Sequence, residues 1–233
     1  MRVGASILLI NGYCYQSYSW SYTRPLGSLK KVLSFLDKYE VDEICITRPI
    51  KGSDNPSVLA NDLRAIRSSS CSSPLSFGGG IRSLASLKNL QQLPVERLHF
   101  SNAFFNMNSR LINKVKNQYG KQAIVASVPV KLVNGQLFFY DSPAKNFKIL
   151  SNKIISYIKD NADEVLIIDT QNEGINNSFN FDILDGIDLP LNKLMITGGI
   201  GQKQISFAKE LGLISCLIDN RILHRENFMK REL

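Results

Sequence analysis

The chain has 233 residues, 44% of them hydrophobic, with 28 Lys and Arg against 20 Asp and Glu, a formal charge of +8. That length suits one large α/β domain or two small ones, and a (β/α)₈ barrel of about 250 residues fits in compact form. The charge points to an anionic ligand or partner. Nucleic acid is not expected, because the basic residues are scattered in no run longer than two and no nucleic-acid motif is present. Cys14, Cys45, Cys71 and Cys216 are far apart, and His99 and His224 are the only histidines, so no metal spacing exists and no metal or cofactor is expected. Free thiols suit a reducing cytoplasm. No signal peptide is legible, and no apolar stretch approaches the roughly 18 residues of a membrane span.

In chain order, residues 6–10 read as a buried strand ending at the turn Asn11-Gly12. Residues 13–24, rich in Tyr and carrying Trp20, read as a loop: either a flap packed on its own aromatics or a lid over a site. Leu29, Val32, Leu33, Leu36 and Tyr39 recur at helical spacing. Strand 44–47, helix 58–66 and strand 75–77 follow. Then comes Gly78-Gly79-Gly80-Ile81-Arg82, before a helix over 83–90. Glycines between a strand and a helix read either as an anion cradle or as a tight turn. Strand 98–101, helix 111–119 closed by Gly120, and a long strand 123–131 come next. Residues 132–140 hold Asn134-Gly135 between apolar runs, a hairpin signal. Helix 149–158, strand 165–168, a polar loop 169–178, short helix 181–184, strand 194–197, helix 205–211, strand 215–218 and a final helix 221–231 complete the chain.

Two echoes organise this order. Gly79 and Gly198, in Gly198-Gly199-Ile200-Gly201, lie 119 residues apart, each after a strand and before a helix. Residues 41–46 (VDEICI) reappear as 162–167 (ADEVLI), 121 apart. The chain reads as two similar halves, each with a phosphate-type loop. Eight strands alternating with helices close most readily as a barrel, and with no linker visible residues 1–233 read as a single domain. Functional residues are expected at the strands' carboxyl ends, which here are polar and glycine-lined. His99 is expected to cap or pack within its strand, and Asp169 and Asp219 are a conceivable but unsupported acid–base pair.

The order Asp42-Glu43, Gly78 to Arg82, Asn102, Gln122 to Val125, the Asn134-Gly135 hairpin, Asp163-Glu164, Glu173-Gly174, Gly198 to Gly201 and the tail Arg225-Glu226 resembles the cyclase subunit of imidazole glycerol phosphate synthase over nearly the whole chain. The resemblance implies a (βα)₈ TIM barrel of two half-barrels, a glutaminase partner at the amino-terminal face, and ammonia passing through the barrel to the opposite end. It implies phosphate sites at Gly79, Gly80, Ser101 and Asn102 in one half, and at Gly174, Gly198, Gly199 and Asn220 in the other. It also implies an ammonia entrance ringed by Arg2, Glu43, Arg97 and Glu164, although solvated charges at strand starts would look the same.

The chain departs from the family pattern where two acid–base aspartates belong. Leu8 stands in place of the first and Pro129 in place of the second. Neither can move a proton, and such groups typically contribute about 10² to 10⁴-fold each. The loop after the eighth strand also carries Asp219 where the family pattern has a small residue, and an aspartate facing the implied second phosphate site would repel the ligand. A branch of the family associated with sugar amidation in surface-polysaccharide biosynthesis likewise lacks the first aspartate. Three readings stand: a non-cyclising barrel that passes ammonia from a glutaminase to a sugar-amidating enzyme, an active cyclase of histidine biosynthesis with Asp169 and Glu173 as relocated groups, and a phosphate-binding or purely structural barrel.

Overall fold

The computed structural model describes residues 1–218. The sequence readings at Asp219, Asn220, the helix 221–231, His224 and Arg225-Glu226 lie outside these residues.

The strands are β1 (Arg2–Ile10), β2 (Tyr13–Tyr18), β3 (Tyr22–Ser28), β4 (Ile44–Thr47), β5 (Leu75–Gly78), β6 (Arg97–Phe100), β7 (Ile124–Val133), β8 (Gln136–Asp141), β9 (Asn146–Ile149), β10 (Glu164–Asp169), β11 (Leu194–Thr197) and β12 (Ser215–Ile218). The helices are α1 (Leu29–Lys38), α2 (Pro56–Arg67), α3 (Leu84–Lys88), α4 (Asn102–Phe105), α5 (Ser109–Tyr119), α6 (Asn152–Asn161), α7 (Asp182–Asp185) and α8 (Gln202–Leu211). β1, β4, β5, β6, β7, β10, β11 and β12 pair in parallel, and β12 closes on β1 with Arg2 opposite Ser215. The result is the eight-stranded (βα)₈ barrel that the alternation of elements implied.

Local chemistry sets the element boundaries. Asn55 starts α2 by accepting from the amides of Ser57 (2.9 Å) and Val58 (3.3 Å), with Pro56 in the first turn where it has no amide to lose. α1 buries Leu29, Val32, Leu33 and Leu36 on one face against the sheet. Those side chains join Ile7, Leu9, Ile44, Ile46 and Phe77 in the main core between the barrel wall and the helices. A second, smaller cluster of Cys45, Val125, Leu166, Met195 and Leu217 fills the barrel lumen. Gly79 and Gly198 follow β5 and β11 at the same end of the barrel, as the two-half reading required.

Residues 13–24 are not a loop. They belong to an antiparallel hairpin, β2 and β3, with Cys14 paired to Gly27 and Tyr18 to Tyr22. Asn11 and Gly12 both have positive φ (55° and 78°), and the ladder resumes at once with Ile10 opposite Tyr13. That is a two-residue hairpin turn whose twist matches the strands it joins. The same dipeptide, Asn134-Gly135 (φ 50° and 75°), turns β7 into β8 as expected. The two turns lie 123 residues apart, a third echo of the duplicated half. Each half opens with a long strand that runs out of the barrel into a hairpin at its mouth.

The helix expected over 83–90 is shorter, Leu84–Lys88. Ser83 caps it through a reciprocal pair with Ser86, and Asn89 ends it.

Candidate functional site

At the amino-terminal end the four expected charges meet in a closed square. Arg2 donates from Nε to Glu43 Oε1 (2.9 Å) and from Nη2 to Glu164 Oε2 (2.7 Å). Arg97 bridges the same two carboxylates from the opposite side. Ser215 Oγ adds a bond to Glu43 Oε1 at 2.5 Å. These residues start four different strands, or sit just before one, and the inward alternation of the pleat brings them together. Gly4 leaves room, since a Cβ there would meet Glu43 Cγ at 2.5 Å and Leu217 Cδ2 at 2.8 Å. Burial pushes the Glu43 carboxyl up, but the Ser215 hydrogen bond and the charges and hydrogen bonds of Arg97 and Arg2 outweigh it and hold the group below its ordinary range. Scattered solvated charges would not interlock this way. The square is a built feature at the amino-terminal end of the lumen.

Beyond the apolar layer of the lumen stands His99. The expectation that it caps or packs within its strand is corrected: its ring points into the barrel. Nε2 lies 2.9 Å from Ser76 Oγ, Nδ1 lies 3.0 Å from Ser127 Oγ, and Cys45 Sγ is 3.6 Å away. Burial, helped by the Arg97 charge, pushes the imidazole down to about 3, so it is neutral at physiological pH, one nitrogen donating and the other accepting. Cys45 is pushed up to about 11 by the same burial and is no nucleophile.

This buried histidine makes stability depend on pH. Its folded value is depressed, so the unfolded chain binds the extra proton first. Stability is expected to fall as pH drops from about 6.5 toward 3, by up to about 1.4 kcal/mol per pH unit. His99→Gln should flatten that slope in urea unfolding measured across the range. An unchanged slope would show that the imidazole titrates normally.

Above His99 opens a cavity of about 260 Å³ at the barrel mouth. Leu8 and Pro129 both line it, on facing strands. Pro129 stands between the last β6 pairing at Ala126 and the first β8 pairing at Val130, a break in the ladder where a residue without an amide is tolerated. The mouth is covered by the β2–β3 hairpin. Ser17 Oγ donates to Glu173 Oε2 (2.7 Å), the Ser19 amide donates to the Glu173 carbonyl (2.8 Å), and Trp20 packs edge-on against Tyr140 at 5.1 Å. The aromatic stretch is therefore a lid, and it closes onto the second hairpin and the loop after β10. Gly174 admits that contact, because a Cβ there would sit 2.6 Å from the Ser17 carbonyl oxygen.

The two glycine loops differ in their surroundings. Gly79, Gly80, Ser101 and Asn102 all line the cavity. Asn102 Nδ2 donates to Asp141 Oδ1 (3.2 Å). Gly198 and Gly199 do not line it; the loop 172–179 packs on them, with the Ser178 and Phe179 amides donating to the Gly199 carbonyl. Asn177 Oδ1 caps α8 by accepting from the Lys203 amide at 3.1 Å.

Asp169, a candidate for a relocated acid–base role, is 1% exposed and lies away from the cavity. Its carboxylate accepts from the amides of Gln171 (3.1 Å), Asn172 (3.3 Å) and Asn180 (3.0 Å), and from Asn172 Nδ2 (2.7 Å). It shapes the loop. Glu173 alone among carboxylates of the described residues lines the cavity.

One cluster was not foreseen. Arg48, fully buried, donates from Nε to Asp62 (2.7 Å) and from both terminal nitrogens to Asp54 (2.6 and 2.9 Å). A signal was present: Asp62 sits on the α2 face that also buries Leu63 and Ile66. An acidic side chain there needs a cation.

The fold and this site define an eightfold β/α barrel of two like halves, with a ring of interlocked charges at one end and a lidded cavity at the other. The sequence pattern of a family described as "Histidine biosynthesis protein" matches residues 2–229, and the chain belongs to that family, as a HisF-like barrel. It is 26% identical over 203 residues to a Campylobacter jejuni protein with the provisional name imidazole glycerol phosphate synthase subunit hisF2, covering 86% of this chain and 80% of that one. It is 22% identical over 231 residues to the imidazole glycerol phosphate synthase subunit HisF of Sulfurisphaera tokodaii, covering 96% and 90%. No helix among the described residues is long and apolar enough to cross a membrane.

Proposed function

We propose that this chain, as a single cytoplasmic domain over residues 1–233, is a non-cyclising member of its family that partners a glutaminase and conducts ammonia. The acceptor in this reading is a sugar, amidated by a separate enzyme in surface-polysaccharide biosynthesis. One observation carries it. The charge square of Arg2, Glu43, Arg97 and Glu164 is complete at one end of the lumen, while Leu8 and Pro129, which the family resemblance sets in place of two proton carriers, line the cavity at the other end. An entrance without its chemistry suits delivery rather than cyclisation. His99, neutral and hydrogen-bonded at both ring nitrogens to the Ser76 and Ser127 hydroxyls, forms with them a polar layer on the path that ammonia would take through the lumen. A phosphorylated ligand would be held at Gly79, Gly80, Ser101 and Asn102, with Gly174, Gly198, Gly199 and Asn220 forming the weaker second site. The proposal includes no metal, cofactor, nucleic acid or membrane.

Glu173 is the observation that favours a working cyclase instead, since it places one carboxylate at the cavity. A lone carboxylate bonded to the lid serine leaves the second proton carrier unsupplied.

Co-expression with candidate HisH-like glutaminases tests the reading. A stable complex whose glutamine hydrolysis exceeds that of the glutaminase alone is expected. Failure to associate with any glutaminase encoded beside it would overturn the conduit.

A further inference from the structure

The carboxylate of Asp54 lies beside Gly80, at the edge of the first glycine loop. A Cβ at Gly80 would meet Asp54 Oδ2 at 2.8 Å and Arg48 Nη1 at 3.3 Å. Arg48 offers Asp54 the paired terminal nitrogens of its guanidinium, a fork that matches carboxylate and phosphate equally well. The two acidic partners of Arg48 are unlike. Asp62 is 1% exposed and holds Nε, and it also accepts from the Gly12 amide at 2.8 Å. That bond fixes the guanidinium in place. Asp54 is 23% exposed and lies on a loop just before α2. Removing it would leave Arg48 anchored, with its fork turned to the cavity that Arg48 lines.

The charge around the cradle favours a stronger anion than one carboxylate. Arg82 and Lys51 line the same cavity, and among the described residues they donate only to neutral oxygens. Arg82 donates to the Gly52 carbonyl (2.5 Å) and Ser142 Oγ (2.9 Å), and Lys51 to the Trp20 carbonyl (2.9 Å). Three cations thus line one cavity, and among the described residues the carboxylate that meets one of them from beside the glycine loop is Asp54, on Arg48.

We infer that Asp54 is the resting partner of Arg48 beside the first cradle and Arg48 the cradle's anion receptor, so that a phosphate monoester binds by displacing Asp54 from Arg48. This rests on reading the glycine loop as a phosphate site and adds how that site is occupied and exchanged. The displaced loop also carries Lys51, whose ammonium holds the Trp20 carbonyl of the lid. Ligand entry therefore reaches the lid through four residues of chain.

Titration with inorganic phosphate, followed by NMR, is the test. In the unmutated chain, the Gly80 amide and the Asp54 carboxyl carbon should shift together along one binding curve. Asp54→Asn removes the competing charge and keeps the shape. It should tighten phosphate binding by about tenfold or more, the value of one charge-assisted pair. If Gly80 shifts to saturation while the Asp54 carbon stays still, or if a folded Asp54→Asn binds no tighter, the exchange is wrong and the phosphate site stands. If Gly80 shifts in neither protein, the phosphate site is wrong and the exchange falls with it. Should Asp54→Asn fail to fold, the carboxyl carbon in the unmutated chain still decides.

Discussion

Glu43→Gln is expected to destabilise the barrel by about 3–5 kcal/mol, the usual cost of removing one partner from a buried ion cluster. Glu43 is 2% exposed and receives both arginines of the square and Ser215. The amide keeps the shape but leaves Arg2 and Arg97 sharing Glu164 alone. The lower end of the range is expected, because the Arg2 side chain is 32% exposed and water screens part of the loss. The pH dependence follows from the depressed carboxyl. Its contribution is full above the ordinary value of 4.5 and disappears as pH falls through the lower folded value. Native and variant chains should therefore converge in acid. Urea unfolding at pH 7 and at steps down through the acid range to the point where the difference stops changing measures both. A difference that persists in acid would show that Glu43 acts through packing rather than charge. In the proposed conduit, the same variant should also uncouple glutamine hydrolysis from ammonia delivery, since the square stands where ammonia would enter the lumen.

The second expected result concerns turnover. With the histidine-pathway substrate, a glutaminase and added ammonium, no cyclisation should be seen. In the proposed reading Leu8 and Pro129 stand in place of two proton-transfer groups, each typically worth about 10² to 10⁴-fold, and both losses bear on one transition state. Leu8→Asp alone should not restore activity. The new carboxylate would face the cavity, but Pro129 still carries no proton opposite it and has no backbone amide to offer. Asp169 cannot take over while four donors hold it in its loop. Steady-state turnover of about 1 s⁻¹ or more, an ordinary enzymatic rate, would establish a working cyclase and make Glu173 the first residue to test.

Much of this protein is legible in its sequence because local chemistry dictates it. Apolar periodicity and glycine turns place the eight barrel strands, and their repetition at offsets of 119 and 121 residues implies a duplicated barrel. Asn134-Gly135 announces a hairpin, since two consecutive positive-φ residues suit few other conformations. Asn11-Gly12 carries the same information, but the aromatic and polar run after it hides the alternation of β2. The four charges of the square could be named from resemblance. That they interlock depends on Arg2 reaching Glu164, 162 residues away, which only barrel closure brings about.

Tertiary structure alone decided the rest. His99 points inward because β5, β6 and β7 pair in one register, and a slip of one residue would have turned it to the helices. Arg48 could be read as a polar residue at a strand end. Its pairing with Asp54 and Asp62 requires a loop and a helix to fold back over the strand, so that one carboxylate becomes an anchor and the other sits against Gly80. Sequence fixes which groups a chain carries and their local geometry. Which of them face each other across the lumen, and which are shut away from water with a single partner, follows from long-range closure that no short window of residues encodes.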